Sequence, residues 1–300
     1  MKKLFLITVA LLFAALSVQA AQAGRELIKK AQVFEKNKNW SAAGDLYLQA
    51  FKSFKKSGDK WYAARKAAYV MLNQKKNAEA QKFLLSIAND KSFSIQDRAA
   101  AFHYCCRTTA DRKEKLAFLD SCLAMTCGTA HEGSCRVIRA AELVALKKFA
   151  EAEKCYSTIL ARPEVAPVIR QNAIMGLAQL AAAKKQYAAA HKYFNEIRKL
   201  AKANPRLNPL TAIRNQAACY LLEKKYDEAV ACYREVISNP KFPVNIRSKV
   251  VEEGLRVYFI TFHDPVAARK FYESCKKYNL PPHRYTRVML RDIAALLDEE

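Results

Sequence analysis

Glycine is scarce in this chain, seven residues in 300, and scattered singly, which does not build a loop that cradles phosphate. No HExxH, GxSxG, Walker or CxxC pattern occurs, so the common zinc-protease, serine-hydrolase, nucleotide-hydrolase and dithiol-redox chemistries have no sequence support. The five histidines, His103, His131, His191, His263 and His283, make no helical metal pair. Glu252-Glu253 reads as a solvated helix face rather than an acid–base pair. Alternating β-branched stretches are rare, which argues against sheet. Acidic residues are few, 28 against 51 basic, for a formal charge of +23.

What is abundant is Ala, Lys, Leu, Glu and Gln, the good helix formers. Half of the residues are hydrophobic, enough for a substantial core. The expected class is all-α.

The first residues read MKKLFLITVALLFAALSVQAAQA. Lys2 and Lys3 precede an apolar stretch too short for a comfortable membrane span, and small-x-small sites end at Ala20 and Ala23. Residues 1–23 are therefore expected to be a secretory signal peptide cleaved after Ala20 or Ala23, of bacterial type; the alternative is an uncleaved anchor. No second long apolar run follows, so no membrane-spanning segment is expected in the mature chain, which would be periplasmic or secreted. Without the two lysines the charge is +21. That favours acidic partners or anionic surfaces, or else serves only solubility. Nucleic acid is set aside for an exported chain.

One stretch is written twice: KKFAEAEKCY at 147–156 and KKYDEAVACY at 224–233. The underlying template is aromatic-x-x-Ala-x-x-x-aromatic. It recurs at Trp40/Ala43/Tyr47, Phe149/Ala152/Tyr156, Tyr187/Ala190/Phe194 and Tyr226/Ala229/Tyr233, with degenerate copies at Asn77/Ala80/Leu84, Asp111/Glu114/Phe118 and Asp264/Ala267/Phe271. The anchors at 40, 77, 111, 149, 187, 226 and 264 are separated by 37, 34, 38, 38, 39 and 38 residues. Such a period signals a helical array. Each step holds two helical segments. Lysines close the first, suiting the negative end of its dipole, and Asp227-Glu228 opens a second. The Ala at +3 lets two helix axes approach, and the large residue at +7 fills the groove to a neighbour. Joints at Phe93–Arg98, Val165–Arg170 and Phe242–Arg247 share an apolar residue followed five later by an arginine, and prolines stop the preceding helices.

This pattern resembles the tetratricopeptide repeat family over residues 25–280. The resemblance implies a right-handed superhelical solenoid of about seven helix hairpins over residues 24–280. The period is longer than the family's basic unit, and Ile159, Ile197 and Val236 stand where a small residue is usual. Residues 281–300, with a stripe of Tyr285, Val288, Met289, Ile293 and Leu296, are expected to form a capping helix that covers the last apolar face, or one that docks a partner. Family geometry places the inner-face residues at Arg65, Tyr69, His103, Arg107, Gln179, Arg214 and Arg256. The implied groove is basic and suits an acidic or extended peptide. The lysine–asparagine clamp that some members use for a C-terminal carboxylate is absent: Ile28, Gln32, Ala99, Val137 and Ala141 occupy the inner positions.

Nine cysteines remain in the mature chain. Cys127 and Cys135 flank GTAHEGS and are the expected local disulfide. Buried thiols are the alternative, and Cys122, Cys127, His131 and Cys135 are a third, zinc-holding set. Cys155 and Cys232 hold equivalent repeat positions, which points to packing. The resulting expectation is an exported non-catalytic scaffold, without cofactor or metal, that binds protein through a concave basic face, with an envelope assembly as the candidate setting. The alternatives are binding of anionic envelope polymer or lipid head groups, and an accessory subunit of an enzyme complex.

Overall fold

A computed structural model describes residues 2–55, 57–126 and 130–298, with side chains from 18 onward except at 57, 130, 131 and 298. Among these residues there are helices and no strand. The chain divides into two compact units, residues 1–155 and 156–300.

The first unit holds α1 (Lys2–Lys36), α2 (Trp40–Ser53), α3 (Ser57–Asn73), α4 (Asn77–Asn89), α5 (Ile95–Cys105), α6 (Arg112–Met125) and α7 (Ala130–Ala145), and most of α8 (Phe149–Leu160). The second holds the end of α8 and then α9 (Pro167–Ala183), α10 (Tyr187–Ala203), α11 (Leu210–Leu222), α12 (Tyr226–Ser238), α13 (Val244–Arg256), α14 (Pro265–Lys276) and α15 (Arg284–Asp298). From α1 to α7, and again from α9 to α15, each helix packs against its successor in sequence. Local hairpins and local stacking therefore build each core. Five even-numbered helices begin on the expected anchor, and Asp111 and Asp264 cap the other two.

The template explains the packing. Ala43, Ala80, Ala152, Ala190 and Ala229 are fully buried, and Tyr47, Leu84, Tyr156, Phe194 and Tyr233 are buried beside them. Two copies depart by one residue. In the third the helix starts at Arg112, so Leu119 rather than Phe118 is fully buried. In the seventh, α13 runs into a π turn at Val257–Thr261, the next helix starts at Pro265, and Ala268 replaces Ala267 as the buried small residue. A π turn adds one residue within a helical path, which accounts for the shift.

The paired lysines do more than complement a dipole. Lys38, Lys75, Lys147, Lys185 and Lys224 each adopt positive φ between the two helices of a hairpin. At Lys224 the amide bonds Leu221 O at 3.1 Å, and the next amide, of Lys225, bonds Tyr220 O at 2.8 Å. The same pair of bonds closes the turns at Lys75, Lys147 and Lys185. This is the Schellman geometry, which usually takes glycine. Replacing Lys185 with glycine removes the strain of an L-residue at positive φ, partly offset by greater freedom of the unfolded chain. The expected result is a gain of about 0.5 kcal/mol, read by urea unfolding; a loss of stability would reject it.

The joint arginines have a structural task. Arg98 Nε donates to Ala88 O at 2.9 Å, Arg247 Nε to Ile237 O at 2.7 Å, and Arg170 Nη1 to Leu160 O at 3.3 Å. Each satisfies a carbonyl left unpaired at the end of the preceding helix. Phe93 and Phe242 are buried at these joints, and Leu207 fills the same role in a joint that the sequence comparison missed.

α15 is amphipathic, but its buried line differs from the expected stripe. Met289 and Ile293 are buried against the last repeat, with Leu290 and Leu297 packed beside them. Tyr285, Val288 and Leu296 are about half exposed. The cap covers the array's end with one face and carries apolar side chains on another.

Candidate functional site

In the first unit the expected inner-face residues lie on α3 and on or just after α5. Arg65 and Tyr69 sit one turn apart on α3 and are partly exposed; His103 is partly exposed on α5, and Arg107 lies in the turn that follows it. Around the α3 pair the structure adds residues that the repeat template did not single out. Glu35 of α1 accepts bonds from Lys66 Nζ at 2.8 and 3.0 Å and from the Tyr47 hydroxyl. Gln32 Nε2 donates to the Tyr62 hydroxyl at 3.1 Å, and the Arg65 guanidinium lies 5.5 Å from the Tyr62 ring centre. Tyr69 meets Trp40 edge to face at 6.1 Å. The signal available in the sequence was the spacing of Tyr62, Lys66 and Tyr69, which puts them along one side of α3.

Electrostatics hold this group together. Burial works to raise the Glu35 carboxyl, but hydrogen bonds from Lys66 and Tyr47, and the charge of Lys66, outweigh it and keep the carboxyl below its ordinary value. Burial first, and then the bond to Glu35, push the Tyr47 phenol upward. A carboxylate thus anchors a lysine and a tyrosine across α1, α2 and α3. His103 tilts against Tyr104 with ring centres 6.1 Å apart, and Arg107 is exposed.

In the second unit Gln179 is exposed on α9. Arg214 of α11 forks onto Glu253 of α13, with Nε donating to Oε2 at 3.2 Å and Nη2 to Oε1. Arg256 lies 3.4 Å from a Glu252 oxygen, and its guanidinium sits 5.7 Å from the Tyr285 ring centre. These two arginines are engaged by carboxylates of the same unit. The solvated-face reading of Glu252-Glu253 is thereby corrected. Glu252 is only 5% exposed and also bonds His283 Nδ1, because the kink after α13 brings α15 back over it. Glu253 thereby ties α13 to α11, and Glu252 ties it to the residue that precedes α15.

Two of the cavities in the second unit bear on binding. One of about 500 Å³ is lined by Arg198, Lys202, Arg206 and Lys241 with Glu235, beside the joints after α10 and α12. The other, about 300 Å³, lies between α13, α14 and α15 and receives the unpartnered hydroxyls of Ser248 and Thr286. Among the described residues no group of three or more His, Cys, Asp or Glu side chains is placed to hold a metal ion. Cys127 and the His131 side chain, named above for a disulfide and a zinc set, lie outside the described residues. Among those described, no helix is long and apolar enough to cross a membrane.

Within each unit, helix hairpins stacked on their neighbours in sequence define the class: an all-α helical-repeat protein. The repeats have the tetratricopeptide fold. The structure resembles a tetratricopeptide repeat protein from Parabacteroides merdae at TM-score 0.53 and 16% identity, over 91% of this chain and 99% of that one. It resembles PilW, a type IV pilus biogenesis factor, at TM-score 0.53 and 17% identity, over 74% and 96%. A signal-transduction ATPase from Pyrococcus horikoshii with a tetratricopeptide repeat sensor aligns at TM-score 0.59 and 13% identity; 90% of this chain covers 43% of that protein. No family model matches the sequence, and no curated protein does.

Proposed function

We propose that this chain is an exported, non-catalytic scaffold that holds a protein partner along the first helices of its hairpins. The observation carrying this reading is the α3 row. Tyr62, Arg65, Lys66 and Tyr69 present aromatic, cationic and hydrogen-bonding groups, already fixed by Gln32, Glu35 and Trp40. Side chains ordered before binding lose little entropy when a partner arrives. The chemistry suits an extended peptide with acidic residues, as a component of an envelope assembly would supply. One structural neighbour is a pilus biogenesis factor, an assembly role of that kind.

The export half of the proposal refines the cleavage point. Ala21 packs beside Leu27 and Ile28 against the cluster of Ala50, Phe54 and Ala63. Cleavage after Ala20 keeps that contact, whereas cleavage after Ala23 removes it. N-terminal sequencing of the exported form is expected to begin at Ala21; a start at Gly24, or an intact Met1, would overturn this.

Charge reversal tests the binding face. Arg214 is a poor choice because reversing it also breaks its pair with Glu253. Arg65→Glu with Arg107→Glu is the cleaner variant. Against a labelled extended peptide carrying Asp, Glu and Leu, about tenfold weaker binding is expected, with wild-type binding persisting at moderate salt. Unchanged affinity would remove this face from the proposal.

A second reading is favoured by the basic cavity at Lys202, Arg206 and Lys241. There the ligand would be an anionic envelope polymer or lipid head group. Its binding should collapse as ionic strength rises, and Lys202→Glu with Lys241→Glu should abolish it.

A further inference from the structure

We propose that Cys122 and Cys135 form a disulfide that ties α6 to α7. This replaces the pairing of Cys127 with Cys135 that the loop between them suggested. The structure holds the Cys122 and Cys135 sulfurs 2.8 Å apart, at a sequence separation of 13. A disulfide bond is about 2.05 Å long, so the sulfurs need less than 1 Å of further approach. Both residues are fully buried in one apolar cluster with Leu119, Cys106 and Ala99. Their neighbours make the pair selective. Cys106 is in the same cluster, but its sulfur faces the carbonyls of Phe102 and Lys115 at 3.7 Å.

The two sulfurs are chemically unequal. The hydrogen bond with Cys135 holds the Cys122 thiol below its ordinary value, against the effect of burial, with help from Thr126. The same bond, followed by burial, pushes the Cys135 thiol upward. Burial pushes Cys105 and Cys106 up to about 12. Of the two, Cys122 is the one favoured as the thiolate, the attacking species, as α6 and α7 come together. With glutathione disulfide as the oxidant, the Cys122 thiolate attacks one of its sulfurs and expels a glutathione thiolate. Cys135 loses its proton and attacks the Cys122 sulfur of the mixed disulfide, expelling the second glutathione. Two cysteine protons leave, one protein disulfide forms and one glutathione disulfide is reduced to two thiols.

Full burial sets the order of events. No oxidant reaches either sulfur once α6 and α7 have closed, so the bond forms during folding and is then shielded from reductants. An oxidising compartment, as the proposed export would provide, supplies the conditions, but the test does not depend on export.

The full chain is refolded in a glutathione redox buffer, quenched in acid, alkylated and digested. Trypsin releases residues 116–136 as one piece containing Cys122, Cys127 and Cys135. A chymotryptic cut after Leu123 then leaves Cys122 on one fragment and the other two on the second. The expected result is that these fragments stay joined until reduced. Cys127→Ser should keep the link, while Cys122→Ser and Cys135→Ser should lose it. Reduction of the unfolded chain before refolding should lower Tm by about 5 °C in wild type and in Cys127→Ser, but not in Cys122→Ser. Fragments that separate without reductant, a bond between Cys127 and Cys135, a bond to Cys106, or three alkylated thiols would each overturn the proposal.

Discussion

Gly254→Val is expected to destabilise the second unit by about 3 kcal/mol. Gly254 lies inside α13, where glycine is ordinarily unfavourable by about 1 kcal/mol relative to alanine. The packing explains its presence. A Cβ there would meet the Phe271 ring and lie 2.6 Å from its Cε1 atom. Phe271 is only 1% exposed and is wedged against Tyr258, with ring centres 5.7 Å apart, so the ring has no room to withdraw. Gly176 stands in the same relation to the Tyr156 ring. Adding Phe271→Leu to Gly254→Val should recover part of the loss, because the smaller side chain relieves the clash. Urea unfolding of the four chains of this cycle measures the coupling. A valine tolerated in the presence of Phe271 would show that the close approach is not what requires glycine.

Phe194→Ala is expected to cost about 3–5 kcal/mol, the range for deleting a buried aromatic ring. Phe194 is 1% exposed and packs with Ile174, Ala178, Ala190 and Ile197. Tyr187→Ala, seven residues earlier, should cost less than half as much, since Tyr187 only borders that cluster. The repeat template treats the two aromatics alike, and burial ranks them. In an array whose repeats contact mainly their neighbours, the loss should be local. Hydrogen exchange should quicken first in α9 to α12. Equal effects of the two substitutions would mean that the anchor position packs as tightly as the +7 position.

The repeat was legible because it is a local property. Helical periodicity, a small residue at +3 and a large one at +7 lie within a few turns, and six near-equal spacings reinforce one another. The expected second helices start within one residue of where they are found. The paired lysines were visible too, but their positive φ was not, because lysine does not announce a left-handed turn as glycine does. The candidate site was less legible. Arg65, Tyr69 and His103 could be placed on first helices by counting from the anchors, whereas Arg107 falls in the turn after α5. Counting could not reveal that Glu35 gathers Lys66 and Tyr47, or that Arg214 is held by Glu253. Those partners are 12 to 39 residues away and belong to other helices.

From residue order alone came the all-α class, the seven hairpins and their boundaries, since these rest on interactions along one helix or between adjacent ones. Folding in three dimensions settled which charges find partners, which side of α15 is buried and which thiols meet. Those outcomes depend on the angle at which one hairpin leans on the next, and a one-residue shift such as the exchange of Ala267 for Ala268 after the π turn changes which side chain is buried.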